Sequence, residues 1–149
     1  MIYPFERDPK SGMIFITVRL DRQHSFKMVL DIGASCTTFD TSALYLADYT
    51  IGGISEKCAI ETANGIVEVA IFKVDSLAAL GITIRNMPVL AYDFLSHGIL
   101  SDYEGVLGID FFENTEFTIN MKKFEPQFCP LDRNHKKTVS ILSITPKNL

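Results

Sequence analysis

Short runs of apolar and β-branched residues, each followed by turn-forming residues, most constrain what this chain can fold into. Residues 13–20 and 26–31 are two such runs, and the polar segment 21–25 joins them. This pattern is typical of a β-hairpin. Asn64-Gly65 joins two further runs, and Asn-Gly between strand-like segments is the strongest short-range hairpin signal.

The same pattern continues along the chain with little sign of helix. A third hairpin is expected to turn at Arg85-Asn86, and the period-two alternation of residues 116–121 predicts a strand exposed on one side. Only short helices are expected, one turn after Thr41 and one at residues 109–114, where Asp110 is a candidate N-cap. Many short strands with little helix predict an all-β barrel or sandwich.

Length and composition fit one globular domain. The chain has 149 residues, of which 47% are hydrophobic and 21% charged, so it is expected to bury a core and not to stay disordered. Residues 1–128 are assigned to this domain. The polar residues from Cys129 onward are interpreted as a tail, 129–149, whose apolar residues 139–144 form a terminal strand that seeks a partner.

Several classes of function are not supported by the sequence. The net charge is −4 and no basic cluster is longer than Lys136-Lys137, so binding of nucleic acid is not expected. The chain start lacks the pattern of a signal peptide, and no apolar run approaches the ~18 residues of a membrane helix, so a cytoplasmic protein without membrane contact is expected.

Metal and thiol sites are not expected either. Three cysteines at wide spacing form neither a disulfide framework nor a zinc motif, and the histidines have no partner at metal-ligand spacing. These residues are Cys36, Cys58, Cys129, His24, His97 and His135. The sequence therefore predicts neither a metal nor a cofactor.

Asp31 stands out because it directly follows the apolar run 28–30. A carboxylate at the end of a buried strand needs hydrogen-bond donors, and the Gly33 N–H and the Ser35 hydroxyl are near in sequence. Such a loop suits a carboxylate held in a fixed orientation. The ordinary alternative is an aspartate that only caps a turn.

Two segments resemble the signature elements of the retropepsin-like aspartic proteases. Residues 26–35, ending in Asp-Ile-Gly-Ala-Ser, resemble the active-site loop, in which apolar residues precede Asp-Thr/Ser-Gly-Ala-Ser/Thr. About seventy residues later, residues 105–112 look like the second element, two apolar residues followed by Gly-x-Asp/Asn. Residues 61–67 stand where the family has its flap hairpin. The resemblance covers roughly residues 13–125.

This resemblance implies a closed barrel of six or seven strands with one short helix, assembled as a homodimer. It assigns Asp31 as the catalytic residue, with the active-site loop and the substrate-binding flap around it. The loop residues are Ile32, Gly33, Ala34 and Ser35, and the flap residues are Asn64, Gly65 and Ile66. The implied activity is an aspartic endopeptidase that uses water and no cofactor, with a second copy of the chain and a peptide or protein substrate as its partners.

Ile32 departs from the family pattern. The usual Thr or Ser hydroxyl bonds across the dimer axis, and isoleucine cannot replace that bond. The cost per copy is about 1 kcal/mol where water or repacking compensates and about 1–3 kcal/mol where a backbone donor is left without a partner in a dry site. A pair of isoleucines packed on the axis would recover part of this loss by apolar burial. Besides a working protease, two alternatives remain: a dimeric peptide-binding module with weak or no catalysis, and a monomeric barrel in which Asp31 only caps a turn.

Overall fold

The fold is built almost entirely from β-strands. The computed structural model describes residues 2–52, 56–62, 65–120 and 139–146. Its strands are β1 (Ile2–Arg7), β2 (Ile14–Leu20), β3 (His24–Leu30), β4 (Thr38–Asp40), β5 (Lys57–Thr62), β6 (Gly65–Ala79), β7 (Ile82–Tyr92), β8 (Gly105–Leu107), β9 (Thr115–Asn120) and β10 (Val139–Pro146). The helix α1 spans Thr41–Leu46, and a 3₁₀-helix spans Ile109–Phe112.

Six of these strands close into a barrel. The strand order is β5-β6-β7-β4-β8-β3-β2-β1-β10-β9, and an additional pairing between β2 and β6 closes the ring from β6 to β2. At the closure Arg19 pairs with Ala78 and Leu20 with Leu77. The expected all-β closed barrel is therefore confirmed. β5 extends the barrel on one side, whereas β1, β10 and β9 of the same chain extend it on the other.

The barrel interior is filled by the apolar side chains that alternate along the strands. In β2 the residues at 16, 18 and 20 are buried whereas those at 17 and 19 are exposed, as period-two alternation requires. The fully buried side chains include Leu20, Met28, Phe39, Leu77 and Leu107. Burial of a side chain of this size stabilises the fold by about 1.5–3 kcal/mol.

One expected turn is wrong. The turn that joins β6 and β7 lies at Leu80-Gly81, whose φ angles are 50° and 74°, and not at Arg85-Asn86. Arg85 and Asn86 lie inside the continuous strand β7, where Asn86 has a φ of 52°. Asparagine tolerates positive φ, so it fits a local irregularity within a strand as well as a turn.

The helices are as short as the sequence suggests. α1 begins at Thr41 as expected, but the helix near residue 110 is a single 3₁₀ turn that ends at Phe112. Its N-cap residue is Gly108 and not Asp110, whose side chain bonds elsewhere, as described below. In the described part of the chain no helix has the length and apolar character needed to cross a membrane.

Strand directions bring three connecting segments to one end of the barrel. β3 and β8 run parallel, whereas β4 runs antiparallel to β8. The residues after β3, the residues before β4 and the 3₁₀-helix after β8 therefore lie together. α1, which follows β4, lies at the opposite end of these strands.

Candidate active site

Asp31 is the first residue after β3 and has an exposed side chain. Its backbone N–H donates to the Leu107 carbonyl at 3.1 Å, which continues the pairing of β3 with β8. One carboxylate oxygen, Oδ1, accepts the Gly33 N–H at 2.8 Å, and the Asp31 carbonyl accepts the Ala34 N–H at 3.1 Å. The carboxylate is thus held in a tight turn while it faces solvent. Ser35 is also exposed.

Behind this loop, Thr37 and Asp110 form a clamp that joins the residues before β4 to the 3₁₀-helix. Thr37 is fully buried; its N–H donates to Asp110 Oδ2 at 2.8 Å and its hydroxyl to Oδ1 at 2.7 Å. The Phe111 N–H also donates to Oδ1, at 2.9 Å. The Thr37 hydroxyl oxygen accepts the Gly108 N–H at 3.1 Å. The clamp therefore satisfies the polar groups of a buried junction.

Gly108 packs closely against the backbone of Cys36 and Thr37. A β-carbon at this residue would lie 2.6 Å from the Cys36 carbonyl carbon and 2.9 Å from the Thr37 nitrogen. These contacts are with backbone atoms, so a side chain cannot be accommodated without moving the loop. The Ile109 N–H donates to the Ala34 carbonyl at 2.9 Å. The active-site loop is therefore fixed to the 3₁₀-helix on a rigid support.

Two isoleucines on this support are exposed. Ile32, next to Asp31, is 61% exposed, and Ile109, at the start of the 3₁₀-helix, is 48% exposed. The hydrogen bonds from the Asp31 N–H to the Leu107 carbonyl and from the Ile109 N–H to the Ala34 carbonyl place both isoleucines on one hydrogen-bonded unit. An apolar surface thus lies beside the carboxylate.

The hairpin expected in the flap region is formed by β5 and β6. The register pairs β6 with β7 only from Ala70 onward, so residues 65–69 pair with β5 alone and the hairpin projects from the barrel wall. Gly65 has a φ of 119°, which glycine adopts readily. Asn64 lies outside the described residues.

The two faces of the flap differ. Directly opposed residues share a face. Cys58 and Ile60 pair with Val69 and Val67 on a face that is half-buried or buried. Ile66 pairs with Glu61 on the other face and is 77% exposed.

The clamp is not predicted by the sequence. Asp110 is interpreted there as a candidate N-cap and as part of the second family element, and Thr37 has no assigned role. The two residues are 73 positions apart, and no local pattern links them. Among the described residues, no group of three or more His, Cys, Asp or Glu side chains could hold a metal ion.

The two described cysteines are expected to differ in reactivity. Burial raises the pKa of the Cys58 thiol, and the charge of Cys36 raises it further, whereas Cys36 is exposed. Because the thiolate is the reactive form, iodoacetamide at neutral pH should modify Cys36 faster than Cys58. Mass spectrometry of timed digests measures both rates. In urea the rates should converge, and faster modification of Cys58 in the folded protein would contradict the burial argument.

Comparisons with known proteins agree with this geometry. A family model described as aspartyl protease matches residues 16–111. The structure is similar to that of a retropepsin-like aspartic protease from Rickettsia conorii, with a TM-score of 0.63 and 17% sequence identity over 95% of this chain and 89% of that chain. At this identity the similarity establishes the fold. A comparison with curated protein sequences finds no match.

Proposed function

Because this chain belongs to the aspartyl protease family and has a retropepsin-like fold, we propose that it is a homodimeric aspartic endopeptidase. One observation carries the proposal. The Asp31 carboxylate is exposed, yet its loop is fixed by hydrogen bonds to Gly33, Leu107 and Ile109. Catalysis by a carboxylate needs this combination of access and fixed orientation.

The second carboxylate comes from a second copy of the chain. The sequence contains a single Asp-x-Gly-Ala-Ser segment, whereas this chemistry needs two facing carboxylates. A two-fold dimer places the same residue of each copy at its axis. Two carboxylates about 3 Å apart cannot both ionise readily, so the pair of Asp31 side chains shares one proton.

This shared proton defines the reaction. The ionised Asp31 takes a proton from a water held between the two carboxylates, and the oxygen of that water attacks the scissile carbonyl. The protonated Asp31 polarises that carbonyl, and a proton is later delivered to the leaving amine. No bond forms between the enzyme and the acyl group. The fixed loop contributes because its dipoles and hydrogen bonds need no rearrangement during the reaction.

The flap supplies the second wall of the binding groove. An extended peptide lies between Asp31 and the hairpin and adds to it as a strand, so that backbone hydrogen bonds provide affinity. The residues proposed to contact the substrate are Asn64, Gly65 and Ile66. The projection of residues 65–69 beyond β7 supports this role, because a hairpin that pairs only with itself can open and close.

A second function is favoured by Ile32. Its exposed apolar side chain replaces the hydroxyl that the family uses at the dimer axis. A dimer that keeps the groove but holds the two carboxylates less firmly would bind peptides without cutting them. This peptide-binding module shares every element of the proposal except turnover.

Two measurements on the full chain separate these functions. Sedimentation is expected to show a species of about twice 16.7 kDa that populates as concentration rises. A mixture of diverse peptides should be cleaved with a bell-shaped profile between pH 4 and 8, because activity needs one shared proton on the pair. A single-subunit mass at every concentration overturns the dimeric mechanism. Peptide binding without cleavage at any pH supports the binding module.

A further inference from the structure

We propose that Ile32 and Ile109 form an apolar contact with the same two residues of a second copy, and that this contact holds the pair of Asp31 side chains together. The inference rests on the proposed dimeric function. It goes further by assigning the assembly to apolar burial instead of a hydroxyl bond, and by giving a role to Ile109, which lies outside the active-site loop.

The first observation behind this proposal is the position of the two isoleucines relative to Asp31. Asp31 bonds through its N–H to the Leu107 carbonyl, and the Ala34 carbonyl accepts the N–H of Ile109. Ile32 lies between these two bonds on one segment and Ile109 lies at the end of the other. Both isoleucines therefore belong to the hydrogen-bonded unit that holds Asp31, and the proposal places them in the same contact as Asp31.

The second observation is that both isoleucine side chains are exposed to solvent. Ile32 in the active-site loop is 61% exposed, and Ile109 at the start of the 3₁₀-helix is 48% exposed. Neither residue is part of the buried core. Apolar surface left in water is unfavourable, and its removal from water favours association.

The partner is a second copy of this chain because the carboxylate requires it. A two-fold contact is self-complementary, so each side chain near the axis meets its own equivalent or a neighbour from the other copy. Isoleucine satisfies this requirement without a donor or an acceptor. The two Asp31 side chains then approach beside apolar groups that exclude bulk solvent, and the lower local polarity strengthens the hydrogen bond of their shared proton.

The test compares dimer dissociation constants by sedimentation equilibrium. Ile32→Ser and Ile109→Ser should each raise the constant by roughly tenfold or more, because two copies of the side chain leave the interface. Ile32→Val should raise the constant by less than Ile32→Ser does, because most of the apolar area remains. Ile32→Thr is the most informative variant: it restores the family hydroxyl, and the proposal expects weaker association.

Leu46→Ser is the matched control. Leu46 is 71% exposed on α1, at the opposite end of the strands from Asp31, and its replacement should leave the dissociation constant unchanged. Circular dichroism establishes that each variant is folded, which is expected because Ile32 and Ile109 lie outside the core. If one serine variant were unfolded, the other together with Ile32→Thr would still decide the question.

The outcomes separate this inference from the proposed function. A dimeric, active wild-type protein whose serine variants associate as tightly as it does overturns the apolar contact alone. Tighter association of Ile32→Thr also overturns it. A wild-type protein that stays monomeric overturns both proposals.

Discussion

Replacing Asp31 with asparagine should abolish peptide cleavage, lowering kcat/KM by roughly 10²–10⁴-fold or more. The amide can neither share the proton of the pair nor take one from water, and both copies in the dimer lose this ability together. The fold should persist because the Asp31 side chain is exposed and the asparagine oxygen can still accept the Gly33 N–H. Cleavage of one peptide, followed by chromatography at several pH values, measures the loss.

A mixing experiment tests whether each site uses two copies of Asp31. If subunits exchange and a dimer needs both aspartates, an equal mixture of wild-type and Asp31→Asn chains should retain about one quarter of the activity of an undiluted wild-type sample. A site that needs one aspartate from a single chain should retain about half. Leu46→Ser chains, mixed in the same way, should leave the activity unchanged because that exposed residue lies far from Asp31.

Retained cleavage by Asp31→Asn would contradict the proposed chemistry directly. Loss of cleavage together with loss of folding would instead show that Asp31 stabilises the loop, as a turn-capping aspartate does. Circular dichroism and sedimentation of the variant separate these results. The mechanism requires a folded, dimeric and inactive Asp31→Asn protein.

The strands of the barrel could be predicted because their signals are local. The hairpin of β2 and β3 follows from two apolar runs and a polar connection, and the hairpin of β5 and β6 follows from Asn64-Gly65 between two others. The helix α1 follows from a short stretch of helix-forming residues after Thr41. In each case neighbouring residues alone determine the conformation, and tertiary contacts agree with it.

The mistaken third hairpin shows where local signals fail. Arg85-Asn86 and Leu80-Gly81 both contain a residue suited to positive φ, so local chemistry does not decide which pair makes the turn. The position of the turn is determined by strand pairing in the barrel, because β7 must be long enough to pair with β6 from Ala79 to Ala70. Tertiary pairing then extends the strand through Asn86.

The site could be predicted in part. Asp31 and its loop were evident from the apolar run that ends in Asp-x-Gly-Ala-Ser. The support beneath the loop was not, because Thr37 and Asp110 meet only when β4 and β8 pair. The exposure of Ile109 was equally out of reach, since an isoleucine in a sequence is expected to be buried.

Replacing Asp110 with alanine should give the largest loss of stability among the site residues, about 3 kcal/mol in the free energy of unfolding. The Asp110 carboxylate accepts three hydrogen bonds, from the N–H and hydroxyl of Thr37 and from the Phe111 N–H. Because Thr37 is fully buried, its donors would lose their partner without gaining water. Urea denaturation measures this loss: the midpoint should shift to lower urea concentration while the m-value stays unchanged.

Asp110→Asn should be less damaging: it should lower the free energy of unfolding by about 1–2 kcal/mol, since one oxygen remains as an acceptor. Asp102→Ala is the control, because Asp102 forms an exposed ion pair with Lys27 and its removal should leave the stability nearly unchanged. If the clamp acts as a unit, Thr37→Val combined with Asp110→Ala should destabilise the protein by less than the sum of the two single changes. Strict additivity would show that the two residues act independently.

Stability and catalysis should fall together at Asp110 for a physical reason. The clamp fixes the junction between the residues before β4 and the 3₁₀-helix, and the same helix holds the active-site loop through Ile109 and Ala34. A looser junction lets Asp31 leave the orientation that the shared proton requires, so Asp110→Ala should lower kcat at temperatures where the protein is still folded. Unchanged kcat in the folded variant would show that the clamp stabilises the fold but does not contribute to catalysis.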